Sequence, residues 1–340
     1  MTSLTVLKIG RGASVQDLGR PGHLAQGLSR GGAADRLAIL EGAALLGQSP
    51  DLAAIELTAL GGSFTIDAPT RIALTGAPMR ARLGDASLRW SASYRMEPGE
   101  VLTLGPAKRG VWSYLHVGGG IATEPLMGSR AAHQSLGLGP ILQEGDVLPL
   151  GTDGGGPVER HLEPQDRFAG GPIRLLPSAH TALFSHDDLE RFQSTSFTRD
   201  QRGNRQGVRL SHDGAPFATK GQLGLPSEVV VPGDIQMTGE GTPYILLPEC
   251  QTTGGYPRIG SVVPVDLPCA AQAGPGATLD FRFVSREEAM ESHMSEADIL
   301  SALEGATRPL LRDPREMQDL LSYQLISGVT AGDFVEGEDT

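Results

Sequence analysis

The stretch Gln251-Thr-Thr-Gly-Gly-Tyr-Pro-Arg-Ile-Gly-Ser261 follows directly on the apolar run Tyr244 to Pro248. A strand that empties into an amide, two hydroxyls, two adjacent glycines and a tyrosine is suited to hold a small polar ligand. Gly254 and Gly255 let backbone N–H groups approach a bound anion or carbonyl. Gln251, Thr252 and Thr253 add directional donors and acceptors, and Tyr256 offers a ring face or a phenol. Pro257 fixes the exit from the turn. On pattern alone the same residues also describe a glycine-rich hairpin of a β-protein.

Three further groups of residues have chemistry in reach. The loop Gln16-Asp17-Leu18-Gly19-Arg20-Pro21-Gly22-His23 places an acid, a guanidinium and an imidazole in one short turn. Arg20 is able to clamp a carboxylate or phosphate in bidentate fashion, with Asp17 orienting it or acting as a base. The same pair equally makes a local staple. Asp35, beside Arg36, reads as a helix-cap acid. Arg199, Arg202, Arg205 and Arg209 fall close together in an otherwise acidic chain and mark either an anion-binding edge or a solvated strand. Several sharper signatures are missing. There is no Gly-x-x-x-x-Gly-Lys-Ser/Thr and no His-x-x-x-His pair. No Met-Lys-Met-type biotin attachment site occurs either, so any biotin would arrive on another protein.

The bulk composition bounds the scaffold that positions these groups. The chain has 340 residues, which suits two domains of roughly 150 residues each. Its 46 glycines and 24 prolines, with few long amphipathic patterns, favour short strands and tight turns, a mainly β fold. The net charge of −12 argues against a nucleic-acid binder. Two cysteines, Cys250 and Cys269, make neither a disulfide framework nor a zinc site, and no metal centre is expected. The N-terminus lacks the pattern of a signal peptide, and no segment has the length of a membrane span. The expectation is a cytoplasmic protein.

Along the chain, Leu4 to Ile9 reads as an opening strand, Gly10 to Gly32 as a long loop, and Ala33 to Leu46 as a helix closed by Gly47. A first β-domain spans 1–155, Asp153-Gly-Gly-Gly-Pro157 is the linker, and a second β-domain spans 172–284. Residues 285–340 form a helical extension. Its capping patterns are Ser285 with Glu288, Ser295 with Asp298 and Asp313-Pro314 with Glu316. Leu300 with Leu303, and Leu320 with Leu321, are its apolar pairs, and Gly332 to Thr340 is an acidic tail. The halves echo each other: Tyr114, Gly128-Ser129 and Gly145 recur as Tyr244, Gly260-Ser261 and Gly276 at a spacing of about 131 residues, which points to a duplicated β-domain. On this alignment Gly118-Gly119-Gly120-Ile121 takes the place of Thr252 to Tyr256. Gly119 and Gly120 are thereby candidates to face the second loop across a cleft.

The segments Val15-Gln-Asp-Leu-Gly-Arg-Pro-Gly22, Gly32-Ala-Ala-Asp-Arg36, Ala73-Leu-Thr-Gly-Ala77, Gly118-Gly-Gly-Ile121, Gly128-Ser-Arg130, Val231-Pro-Gly-Asp-Ile-Gln236 and Gln251 to Pro257 occur in this order. Together they resemble the KipA-type biotin-dependent carboxyltransferase family, also described as allophanate hydrolase subunit 2-like, over roughly residues 4 to 284. The resemblance implies tandem cyclophilin-like β-barrels and two partner proteins, one KipI-like and one LamB/YcsF-like. It further implies an ATP-dependent 5-oxoprolinase complex that opens the lactam of 5-oxoproline to glutamate. Other members transfer a carboxyl group from biotin to urea, and a KipA-like antagonist of a kinase inhibitor is a non-catalytic alternative. In this light Arg20 and Arg205 are the expected anion clamps, Asp17 or Asp35 the acid, and Gln251 to Tyr256 the loop that holds a small amide or lactam. The chain departs from the family pattern at Asn204-Arg-Gln-Gly-Val-Arg209, at Gly31-Gly-Ala-Ala-Asp35, at Glu249-Cys250 and at His23.

Overall fold

The structure, a computed structural model, describes residues 2–163, 165–219 and 224–311. The first β-unit is built from two antiparallel sheets. One runs, in spatial order, Val147–Pro149, Ser3–Ile9, Gly62–Ile66, Leu102–Ala107, Met79–Leu83 and Ala86–Leu88. The other runs Ser14–Gln16, Ala54–Thr58, Trp112–Val117, Thr70–Gly76, Ala92–Met96 and Arg160–His161. Period-two burial along Gly62–Ile66 sends Phe64 and Ile66 inward, and both sheets contribute to one core with Leu4, Ile55, Ile72 and Leu115.

Trp112–Val117 is buried on both faces. Leu115 and Val117 enter the core, while Trp112 and Tyr114 face helix α1 (Arg36–Leu46), which packs Ala38 and Ile39 over them. Asp35 caps α1, its Oδ1 accepting from Ala38 N at 3.2 Å, and Gly47 ends it with φ of 59°. Gly42 lets the helix sit this close, because a Cβ there would lie 2.3 Å from the His116 ring.

The second unit is a closed seven-stranded barrel in the order Gly170–Leu176, Arg258–Val262, Asp234–Met237, Pro243–Leu246, Gly207–Ser211, Ser196–Gly203 and Thr278–Phe283. A parallel pairing of the first and last of these closes it. Phe192 from helix α2 (His186–Ser194) plugs the core, its ring 4.8 Å from Phe197 and 5.3 Å from Phe281. Helix α3 (Leu267–Gln272) lies between two barrel strands in the sequence and turns its last residues toward the first unit.

The chain is thus mainly β, with the helices expected at Ala33–Leu46 and beyond Val284. Three details differ from the sequence reading. Gly10 to Gly32 is not one continuous loop: it contains the strand Ser14–Gln16, because Val15 is buried in the first core. The echoing halves do not pair their strands alike. Asp234–Met237 pairs with the Pro243–Leu246 strand that follows it, whereas Leu102–Ala107 and Trp112–Val117 belong to different sheets.

The third difference concerns the extension. Ser285 and Ser295 cap α4 (Arg286–Glu291) and α5 (Glu296–Ala306) as their spacing predicts. However, α5 returns across the molecule and lays Leu300 and Leu303 against Ala44, Leu45 and Leu46 of α1. Arg36 Nε meets Glu296 at 3.1 Å, and Arg308–Pro309 then pairs with Arg160–His161 at the edge of the second sheet. The extension is a strap back to the first unit rather than an appendage. The Asp313 to Glu316 pattern, the Leu320–Leu321 pair and the acidic tail from Gly332 lie outside the described residues. No helix among the described residues is long and apolar enough to cross a membrane.

Replacing Leu300 and Leu303 together with alanine removes the apolar face of the strap. Since both are only partly buried, urea denaturation should register a loss of about 2 kcal/mol, below the range for fully buried leucines. An unchanged midpoint would show that the strap adds nothing to the fold.

Candidate functional site

Where the two units meet, the contact is a buried seam of charge and amide groups. Arg205, at the tip of the hairpin between Ser196–Gly203 and Gly207–Ser211, is almost fully buried. Its guanidinium donates to Glu56 of the first unit, to Glu249 of its own unit and to the Gly32 carbonyl. Glu56 Oε2 also accepts from the Tyr114 hydroxyl at 2.7 Å and from Ala34 N at 2.8 Å. Glu249 Oε2 accepts from Ser135 N at 2.9 Å and Ser135 Oγ at 3.0 Å, with His133 Nδ1 a further neighbour at 3.8 Å. Beside them Gln272 of α3 accepts from Val111 N and Trp112 N, both at 3.0 Å, and donates to Asp35 Oδ2 at 2.8 Å. Arg167 joins Asp35 to Glu41 at 2.8 Å each.

Electrostatics in the seam follow from this pairing. Burial by itself would raise the Glu249 carboxyl, but the charge and hydrogen bond of Arg205 outweigh it and hold the group below the ordinary range. Burial and the adjacent Glu56 push the Tyr114 phenol well above its usual value, so it stays a donor. Burial pulls His133 down against the opposing pull of Glu249.

The cleft lies on the outer wall of the barrel, next to this seam. It has a volume of about 340 Å³, at the small end of ligand sites. Ile235 and Met237 point into the barrel core, so alternation turns Gln236 outward; Tyr244 faces out beside Ile245 for the same reason. Asn204 and Gln206 supply one wall, and Gln251 and Tyr256 the other, with Arg202 at the lining. Gln251 Nε2 donates to Gln236 Oε1 at 3.0 Å. Gln236 is itself buried, and its Nε2 finds no partner among the described residues. Such an unpaired donor costs about 1–3 kcal/mol.

The two walls are coupled to the seam by neighbouring residues. Asn204 and Gln206 flank Arg205, and Gln251 lies two residues beyond Glu249. The buried Arg205–Glu249 pair therefore ties the hairpin tip to the ligand loop and sets the width of the cleft between them.

Of the residues expected in a site, Gln251 and Tyr256 line this cleft. Thr252, Thr253 and Gly254 instead form a short ribbon with Glu228–Val229. Gly254 makes room rather than offering its N–H: a Cβ there would come 2.6 Å from Gln236 Nε2. Gly255 sits beside Leu225 and Ser227. Gly119 and Gly120 do not reach the cleft. They pack in the first unit, Gly119 N donating to Gln48 Oε1 at 3.1 Å and Gly120 lying against Leu52.

The expected clamps and acids are buried and bonded to protein groups, although Arg20 Nη1 finds no partner among the described residues. Arg205 is buried in the seam, with each of its three nitrogens bonded to a protein oxygen. Arg20 is buried and donates to the carbonyls of Leu126 and Ala131, which shapes the 126–131 turn. Asp17 accepts from Gly19 N at 2.7 Å, Ser129 Oγ at 2.6 Å and Arg130 N at 2.7 Å, which ties its loop to the 126–131 turn. Asp35 is shared between its cap, Arg167 and Gln272. Of the four clustered arginines only Arg202 lines the cleft, and it is paired with Asp200 at 3.1 Å. Gln236, Tyr244, Asn204 and Gln206 are among the lining residues that sequence reasoning missed. A signal for Gln236 is its alternation with the apolar Ile235 and Met237.

The structure is a closed barrel beside a two-sheet unit, joined by a polar seam with a small amide-lined cleft. Residues 26–283 match the model of the carboxyltransferase domain, subdomain A and B, and the chain belongs to that family. It is similar to the C component of 5-oxoprolinase from Escherichia coli, at 32% identity over 299 residues that cover 86% of this chain and 95% of the relative. A more distant similarity is to urea amidolyase of Lachancea kluyveri, at 27% identity over 86% of this chain but 17% of that protein. Among solved structures, TTHA0988 superposes with a TM-score of 0.76 at 27% identity, over 83% of this chain and 56% of the other.

Substitutions in the seam separate charge from shape. Arg205→Met strands two buried carboxylates and should cost about 3–5 kcal/mol of unfolding free energy. Glu249→Gln keeps a hydrogen-bonding side chain and should cost about 1–2 kcal/mol. Equal losses in the two variants would refute this ordering. Because the folded value of Glu249 lies below its unfolded value near 4.5, its contribution is complete above pH 4.5 and is lost as pH falls through the lower folded value. Wild-type stability should therefore decline in acid more steeply than that of Glu249→Gln, as read by denaturation at stepped pH.

Proposed function

We propose that this chain is the C component of a 5-oxoprolinase complex, which opens 5-oxo-L-proline to L-glutamate with ATP hydrolysis. The observation behind this reading is the 32% identity that extends over 95% of the E. coli protein. The cleft adds chemical support. A lactam carbonyl is a poor electrophile, and phosphorylation of its oxygen makes the carbon attackable. This chain's share of that task is to hold the ring. Amide groups from Gln251 and Gln206, the Tyr256 ring and the Arg202 charge suit a small polar lactam bearing a carboxylate. ATP acts at the level of the complex, whose other members in this reading are one KipI-like protein and one LamB/YcsF-like protein. The cleft residues Gln251 and Tyr256 are the substrate-binding groups of this reading.

The similarity to urea amidolyase supports a second reading, in which the same cleft accepts a ureido group and biotin delivers the carboxyl. Both reactions present a planar amide to the same walls. Purifying the chain with both partner proteins and following ATP-dependent glutamate release from 5-oxoproline tests the first reading. Release is the expected result. An intact three-part complex that releases no glutamate would overturn it, and carboxylation of urea in the presence of a biotin carboxylase and carrier would establish the second.

A further inference from the structure

We infer that the tip of the barrel hairpin is a carboxylate subsite, in which Asn204 and Arg202 hold the anionic end of a small ligand. This rests on the reading of the cleft as the substrate site and adds the group by which one of its walls recognises that ligand. Asn204 and Arg202 both line the cleft. The Asn204 Oδ1 is committed to the turn, accepting from Gln206 N at 2.8 Å and Gly207 N at 3.4 Å. Backbone N–H groups only donate, so they fix which end of this amide is oxygen and leave Nδ2 with a pair of donors. Among the described residues no protein acceptor takes either of them.

The turn by itself needs only an oxygen at position 204, which aspartate or serine supplies equally. What the asparagine adds is an uncharged pair of donors, and their complement is an acceptor. Charge decides which acceptor. Arg202 binds Asp200 through Nε and Nη2, at 3.1 and 3.2 Å, and its Nη1 has no partner among the described residues. Asp200 also accepts from Arg209 Nη1 at 2.6 Å, so one carboxylate is shared between two guanidiniums and the group keeps a positive charge. No aspartate or glutamate is among the described residues that line the cleft. The opposite wall adds donors: Gln251 keeps a second N–H after its bond to Gln236 Oε1, and Gln236 Nε2 is unpartnered. One surplus positive charge flanked by neutral donors matches a singly charged carboxylate. The ligand class is a small amide that carries a carboxylate, which 5-oxoproline is and neutral urea is not.

The test uses the full chain in complex with its partners. Binding of 5-oxoproline, its carboxamide and 2-pyrrolidinone, the same ring without a carboxylate, is measured by calorimetry without ATP, and ATP-dependent glutamate release is followed in parallel. Wild type should bind 5-oxoproline about tenfold more tightly than either neutral ring, the factor of a charge-assisted hydrogen bond. Asn204→Asp keeps the oxygen of the turn and sets an anionic oxygen in place of the NH2. It should reduce the preference over 2-pyrrolidinone to less than about twofold and turn the preference toward the carboxamide. It should also raise KM more than it lowers kcat, with the melting temperature little changed. Arg202→Gln leaves the turn intact and should lower the preference by about threefold or more, which keeps the test open if Asn204→Asp does not fold. Equal binding of 5-oxoproline and 2-pyrrolidinone by wild type, or an unchanged preference in either folded variant, overturns the inference. If wild type releases glutamate without this preference, the inference fails and the proposed reaction stands. If it releases none yet prefers the carboxylate, and Asn204→Asp loses that preference, the subsite stands and the reaction is another. Absence of binding by all three compounds overturns both.

Discussion

Arg205 is the residue on which the arrangement of this molecule depends. A single guanidinium satisfies Glu56 from one unit and Glu249 from the other, and it reaches the backbone of the Gly32 turn as well. Two carboxylates buried at a junction repel each other and lose their hydration. Only a cation with several fixed donors compensates both at once. Tyr114 and the amide of Ala34 bond Glu56, and Ser135 bonds Glu249, so each carboxylate has hydrogen bonds besides its ion pair. A lysine would offer a point charge without the planar fork that meets three acceptors in three directions.

The same residue explains why the cleft is where it is. The hairpin that presents Asn204 and Gln206 is an exposed connection in a barrel, the kind of segment that ordinarily moves. Here its tip is nailed into the junction, and the opposite wall is pinned by Glu249. A binding surface made of loops thereby gains the rigidity of the scaffold.

The local features of the fold were legible in the sequence. Asp35 and Gly47 delimit α1 because caps act within a turn of the helix, and the glycine pair before Tyr256 marks a close approach, although what approaches is a glutamine side chain. Arg205, Asp17 and Arg20 were read as chemistry because a charged residue in a glycine-rich loop looks the same whether it meets a ligand or a buried partner. The carboxylate partners of Arg205 lie 149 and 44 residues away in the sequence, and nothing local reports a pairing at those distances. Gln236 escaped for the converse reason. A lone amide in a short strand reads as its solvent face until the loop that covers it is known.

The strap formed by α5 closes a circuit in the chain. The polypeptide starts in the first unit, builds the barrel, and returns to finish a sheet it left at Arg160–His161. Two units joined only by a linker would each open independently and swing about it. With both the entry and the return anchored on the same body, parting the units requires peeling α5 from α1 as well as breaking the seam. The entropy of closing so long a loop grows only slowly with its length, so the circuit is inexpensive to maintain. The pair then unfolds as one cooperative body, and the cleft beside its seam persists for as long as the whole does.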